Sequence, residues 1–212
     1  MQLYSFFNSS TSYRVRIALA LKGLPYDYKG VNIRVGEQRD PAYVELNPGK
    51  GVPLLVEDDG LTVSQSLAII QYLDERYPQP RLIPQDLLAR TRVLELSNLI
   101  ACDMHPVNNL RILGYLSKEL AASDEQKKDW YAHWIREGFD AVEALLERYG
   151  HGRCCFGDEP TLADVCLIPQ VANARRMGCD LSAYPRVLAI FDYCQTLPAF
   201  QQAAPACQPD VI

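Results

Sequence analysis

The chain has none of the features that would assign it at once to several function classes. No apolar run approaches the roughly 18 residues of a membrane span, and no such segment is expected anywhere in the chain. Basic residues are in the minority, 21 Lys and Arg against 26 Asp and Glu. The resulting net charge of −5 gives no general attraction to nucleic acid, which usually shows as a basic face. The 3 histidines show no H-E-x-x-H spacing, and none of the 7 cysteines forms C-x-x-C. Neither paired-ligand pattern of a zinc site is present, so no metal is expected. An odd cysteine count also argues against a disulfide framework, and the thiols read as small buried hydrophobes in a reducing compartment. Met1 to Ser5 show no basic stretch leading into an apolar core, so a cytoplasmic location is the expectation. Internal repeats and low-complexity segments are also missing.

What remains is an ordinary globular composition, 48% apolar and 22% charged over 212 residues, enough for one large domain or two small ones. The first 80 residues alternate two periods. Gln2 to Phe6 read as a strand. Val15, Ala18 and Leu19 recur at helical spacing, until Gly23 and Pro25 stop the helix. Tyr26, Tyr28 and Val31 suggest a second strand, followed by an irregular or short helical stretch. Pro53–Val56 and Leu61–Val63 flank Asp59-Gly60, a strong hairpin signal. Leu67, Ile70 and Leu73 then mark a helix opened near Ser64–Ser66 and closed by Pro78. A β-α-β unit followed by a hairpin and a helix predicts a mixed sheet with helices packed on it.

The character changes at the Pro-rich stretch 77–84. We divide the chain into residues 1–80, a linker over 81–88, and an all-helical part over 89–212. Helices are predicted at about 86–116, 124–148, 162–177 and 184–196. The third opens with Thr161-Leu162-Ala163-Asp164, a capping-box pattern with Asp in place of Glu, so Asp164 reads as a cap rather than a catalytic acid.

Chemistry-bearing residues cluster in three places. Asn8-Ser9-Ser10-Thr11-Ser12 lie between the first strand and the first helix, where ligands of open α/β sheets tend to bind. Hydroxyls at a helix N-terminus cap it, and can equally donate to a thiolate and lower its pKa. Gly51-Val52-Pro53 precede the hairpin, and Ser64-Gln65-Ser66 open a helix, as caps or as the seat of a carboxylate. Gly49-Lys50-Gly51 lacks the G-x-x-x-x-G-K-[ST] pattern and is no phosphate loop.

Ser9 to Gly23, reading SSTSYRVRIALALKG, resembles the signature of zeta-class glutathione transferases. Leu46-Asn47-Pro48, Val52-Pro53, Gln65–Ile70, Gly157–Asp164, Val171–Ala174 and Gln208-Pro209-Asp210 extend the resemblance nearly end to end. It implies a thioredoxin-like α/β N-terminal domain, an all-α C-terminal domain, glutathione as cofactor and a homodimer. It implies that Ser9, flanked by Ser10 and Thr11, serves the glutathione thiolate. Val52, before a cis Pro53, would hold the cysteinyl backbone; Gln65 and Ser66 would hold the γ-glutamyl end. Gln38 is a further glutathione contact, His105 and Asn109 fall near the cleft, and Arg176 would hold a substrate carboxylate. The implied activity is glutathione-dependent isomerisation of maleylacetoacetate in tyrosine and phenylalanine degradation. Maleylpyruvate isomerisation and a transferase of broad electrophile range are the alternatives. Three positions depart from the pattern: Asn8 where Arg is usual, Thr11 for a common Cys, and Leu110 where a maleylpyruvate isomerase carries Arg. A disulfide oxidoreductase would need a cysteine at the first strand–helix turn, and residues 9–12 contain none.

Overall fold

Four strands form one mixed sheet in the order β2-β1-β3-β4. β1 (Gln2–Ser5) runs parallel to β2 (Asp27–Gly30), with Leu3 opposite Tyr28. It runs antiparallel to β3 (Leu54–Val56), which turns through Asp59-Gly60 into β4 (Thr62–Ser64). Gly60 takes φ 89 in that turn, a conformation that glycine adopts without penalty. The parallel pair needs a crossover, and α1 (Ser10–Leu21) supplies it. A 3₁₀ turn at Glu37–Arg39, α2 (Pro41–Leu46) and α3 (Ser66–Arg76) complete this part. The computed structural model describes residues 1–212 and divides into two compact units.

The first unit comprises Met1–Ile83 together with Gln195–Ile212. Its core lies between sheet and helices: Val15, Ile17, Ala18 and Leu19 of α1 and Ile69, Ile70 and Leu73 of α3 are all wholly buried. On a second cluster, Val31, Tyr43 and Leu54 pack with Tyr4 and Val52, which seats the loop before β3. α1 is enclosed on nearly every side, so even Arg14 and Arg16 are buried. A buried guanidinium needs acceptors on all its edges, and Arg16 finds neutral ones: Ser5 Oγ at 3.1 Å and the carbonyls of Phe6, Phe7 and Ala203 at 3.3, 2.9 and 2.9 Å. Burial pushes its pKa down from the ordinary value.

The carbonyl of Ala203 belongs to α10 (Pro198–Ala203), and this corrects the division expected from sequence. The helical unit does not extend to residue 212. The final segment packs on α1, where Tyr13 also donates to the Phe200 carbonyl at 3.2 Å. Asp210 accepts from the Phe7 amide at 3.1 Å and from the Tyr28 hydroxyl at 2.6 Å.

The second unit, Pro84–Cys194, is helical. It contains α4 (Leu87–Asn98), a π-helical turn at Leu99–Met104, α5 (His105–Val107), α6 (Leu110–Lys118), α7 (Asp124–Tyr149), α8 (Leu162–Arg176) and α9 (Pro185–Cys194). The single helix expected over 86–116 is therefore interrupted. Pro106 cannot donate to the preceding turn, and Asn109 starts a new helix by accepting from the Arg111 amide at 3.2 Å. The Thr161–Asp164 box forms as expected. Asp164 is wholly buried and accepts from the Thr161 amide at 2.8 Å, the Thr161 hydroxyl at 3.0 Å and the Cys155 amide at 2.8 Å. Its carboxylate thus ties the loop before α8 to the helix start. Cys154 and Cys194 lie beside it, with ligand atoms of all three within 4.8 Å. No helix is long and apolar enough to cross a membrane.

Candidate active site

A cleft in the first unit is lined by Thr11, Asn47, Val52, Pro53, Gln65 and Ser66, among others. The fold brings these together from three chain segments. β1 delivers the start of α1; the Asn47–Pro53 loop enters β3; β4 delivers the start of α3. Five of the residues singled out in sequence, Thr11, Val52, Pro53, Gln65 and Ser66, share this cleft.

Ser9 is the N-cap of α1, and its hydroxyl oxygen accepts from the Ser12 amide at 3.2 Å. It also stands 2.9 Å from Thr11 Oγ1. Thr11 donates its single proton to the Val52 carbonyl at 2.9 Å. A hydroxyl has one proton to give, so the Ser9 proton is the one shared with Thr11. The result is a directed chain from the Ser12 amide through Ser9 and Thr11 to Val52. Ser9 thus caps α1 and joins, through Thr11, the loop that lines the cleft. Ser10, buried, begins α1 beside it.

The Val52-Pro53 peptide bond is cis, as the resemblance implied. Its loop is held by Asn47, which in the sequence stands out only as the middle of Leu46-Asn47-Pro48. Asn47 is buried, donates to the Gly51 carbonyl at 2.8 Å and accepts from the Gly49 amide at 3.0 Å. The same Gly51 carbonyl accepts from Tyr43 at 2.5 Å. Burial pushes the Tyr43 phenol up, with the Asn47 hydrogen bond acting the other way.

Gln65 has φ 73 and ψ 118, and no side chain caps the first turn of α3. A non-glycine residue at positive φ is held there by its surroundings, and here it leaves the amides at the start of α3 facing an uncapped helix end. Ser66 is buried, and its oxygen accepts from Arg14 Nη1 at 3.3 Å. Arg14 lies one turn into α1, beneath the cleft, and was missed in the sequence because Arg14 reads there as one more helix residue.

The remaining candidates stand elsewhere. Gln38 follows the loop after β2 and donates to the Ile33 carbonyl at 3.4 Å rather than lining the cleft. Asn8 is half-buried, at the end of a loop whose Phe6 and Phe7 rings carry Arg34 at 5.4 and 5.3 Å. In the second unit, His105 Nε2 and Asn109 Nδ2 are 3.4 Å apart. Arg176, exposed in the last turn of α8, donates to the Asn173 side chain. Its neighbour Arg175 pairs with Asp192 at 3.6 Å and lies over the Phe191 ring at 4.3 Å. A larger cavity of about 320 Å³ opens in the second unit, against Arg153, Cys154, Arg186 and Tyr193, and none of the sequence candidates lines it.

Family models describe the two halves in the same terms: the glutathione S-transferase N-terminal domain matches residues 8–76, and the C-terminal domain matches 128–192. The maleylacetoacetate isomerase of Pseudomonas aeruginosa is 48% identical over 99% of this chain and 98% of its own length. A solved holo structure of maleyl pyruvate isomerase, described as a bacterial glutathione S-transferase in Zeta class, superposes with a TM-score of 0.97 at 47% identity over 100% of both chains. A structure of maleylacetoacetate isomerase from Anaeromyxobacter dehalogenans, with glutathione bound in its active site, gives a TM-score of 0.89 at 40% identity, over 100% of this chain and 97% of that one. The chain belongs to the glutathione S-transferase family, in its zeta class. Relatives that it resembles at this level carry the names maleylacetoacetate isomerase and maleylpyruvate isomerase.

Proposed function

We propose that this protein is a glutathione-dependent isomerase that converts maleylacetoacetate to fumarylacetoacetate. The observation that carries the reading is the cleft where Thr11, Val52, Gln65 and Ser66 converge on the starts of α1 and α3. The fit to glutathione rests on those groups. A buried hydroxyl and an uncapped helix start offer donors for a carboxylate, and the Val52 backbone lies between that seat and Ser9. Glutathione, when bound, supplies a thiolate nucleophile that adds reversibly to the cis double bond and so permits rotation about it.

The chain's own residues have three tasks. Ser9 turns its hydroxyl from Thr11 toward the thiolate, and the N-terminus of α1 favours the same negative charge. Val52 and its cis-Pro53 present backbone groups to the cysteinyl part; Gln65 and Ser66 take the γ-glutamyl end; Gln38, His105 and Asn109 contribute from outside the cleft. Arg176 anchors a substrate carboxylate, for which a guanidinium has the matching geometry. Asn8 removes a cation from the substrate side, which leaves more of the anchoring to Arg176.

The reading extends to a homodimer in the cytoplasm acting in tyrosine and phenylalanine degradation, on the strength of the family resemblance. Maleylpyruvate is the competing substrate, since relatives of both names match the chain equally well. Leu110, exposed at the start of α6, favours maleylacetoacetate. The test is isomerisation of both diacids by the purified protein with and without glutathione. Turnover of maleylacetoacetate only when glutathione is present supports the proposal. Faster turnover of maleylpyruvate would reassign the substrate, and turnover of neither would sink the reading.

A further inference from the structure

Arg14 is one of two arginines buried in α1, a helix whose Val15, Ile17, Ala18 and Leu19 are wholly buried. It is 1% exposed, yet one of its N–H groups reaches Ser66 Oγ at 3.3 Å. A guanidinium can only donate, so the direction of this bond is settled: Ser66 accepts. A serine hydroxyl carries a single proton, and having accepted from Arg14 it keeps that proton to give. Ser66 is 5% exposed, and its exposed part faces the cleft.

The same place has a second property. α3 is 11 residues long, its N-cap residue Gln65 makes no side-chain cap, and Gln65 is held at φ 73. The start of the helix is thereby left open to the cleft instead of being closed by its own sequence. An anion there would meet the helix N-terminus, a serine hydroxyl aimed outward, and, one layer below, a charge that polarises that hydroxyl.

We infer that Arg14 is a positioning residue for glutathione: it orients and polarises the Ser66 hydroxyl so that Ser66 donates to the α-carboxylate of the γ-glutamyl group. Arg14 itself touches no ligand. The inference rests on the glutathione reading above and adds to it a residue that acts through another. A merely structural arginine would support the fold and affect every ligand alike. A positioning arginine affects only the part of the ligand that Ser66 meets.

The experiment compares glutathione with 4-aminobutanoyl-cysteinylglycine, which lacks only that carboxylate. Binding of each is measured by calorimetry to the full chain, as wild type, Arg14→Met, Ser66→Ala and the double variant. Arg14→Met and Ser66→Ala should each weaken glutathione by about tenfold, the scale of one charge-assisted hydrogen bond, and change the analogue by less than about twofold. The double variant should be no weaker than either single one, because both remove the same interaction. Equal losses for both ligands, or losses that multiply in the double variant, would overturn the inference. Where Arg14→Met does not fold by circular dichroism, Arg14→Gln keeps a shorter polar side chain with a donor and without the charge, and the same selective loss is expected. Wild-type protein that binds neither ligand would instead remove the glutathione reading, and this inference with it.

Discussion

Thr11 links Ser9 to Val52. Its oxygen lies 2.9 Å from Ser9 Oγ, and it donates to the Val52 carbonyl at 2.9 Å. One threonine therefore couples the start of α1 to the loop that enters β3. The common cysteine at this position would be a weaker donor and acceptor in both bonds.

This coupling separates the roles of Ser9 and Thr11. Ser9→Ala should lower isomerase turnover by about 10²-fold, the scale of losing one preorganised donor, and raise the thiol pKa of bound glutathione, read from thiolate absorbance. Thr11→Val should break both hydrogen bonds and raise the glutathione Michaelis constant, whereas Thr11→Ser keeps both and should resemble the wild type. Full turnover in Ser9→Ala would transfer the thiolate role to Ser10 or Thr11.

Arg175 and Arg176 should behave differently although they are adjacent. Arg175 is engaged by Asp192 and Phe191. Arg176→Ala should raise the Michaelis constant for the diacid and leave glutathione affinity unchanged; Arg175→Ala should do neither. A normal Michaelis constant in Arg176→Ala would make this residue a favourable cation at a helix end, a contribution of about 0.3–1 kcal/mol, and nothing more.

The final segment should matter to the site that it does not line. Asp210→Ala removes the acceptor of both the Phe7 amide and the Tyr28 hydroxyl. Burial together with that hydrogen bond pushes the Tyr28 phenol up. Faster hydrogen exchange at Phe7 and a lower thermal midpoint are expected. Exchange at Phe7 equal to the wild type would show that Arg16 alone holds the loop.

Lys22 and Asp74 form the most deeply buried ion pair, 2.8 Å apart with both side chains fully enclosed. Lys22 also donates to the carbonyls of Tyr77 and Pro80 at 2.8 and 2.7 Å, and Asp74 accepts from the amides of Leu82 and Ile83 at 2.8 and 3.1 Å. Lys22→Met leaves the buried Asp74 carboxylate with only the longer cationic contact to Arg81, 3.8 Å away, and should cost about 3–5 kcal/mol by denaturant titration. A loss below about 1 kcal/mol would mean that water or Arg81 had taken the place of Lys22. Lys22→Met with Asp74→Leu should recover much of the loss, since the penalty lies in the orphaned charge.

Local rules by themselves determined the alternation of periods up to Pro78, the Asp59-Gly60 hairpin, the Thr161–Asp164 box and three of the four helices from 124 onward, α10 being the exception. Each of these depends on residues a few positions apart, and spacing and capping preferences act at that range. The motif matches located Thr11, Val52-Pro53 and Gln65-Ser66, because the chain segments that build the cleft are short and each carries its own pattern. Spacing could not reveal what distant segments do to one another. The expected helix over 86–116 ended early because Pro106 and Asn109 outweighed a continuous apolar pattern. The segment 195–212 joined the first unit because buried Arg16 required the Ala203 carbonyl and because Phe7 and Tyr28 required Asp210. Arg14 looks in sequence like any polar residue of an amphipathic helix. Only when α1 is enclosed on all sides does it become a buried cation with Ser66 within its reach, because burial makes each hydrogen bond of such a group obligatory.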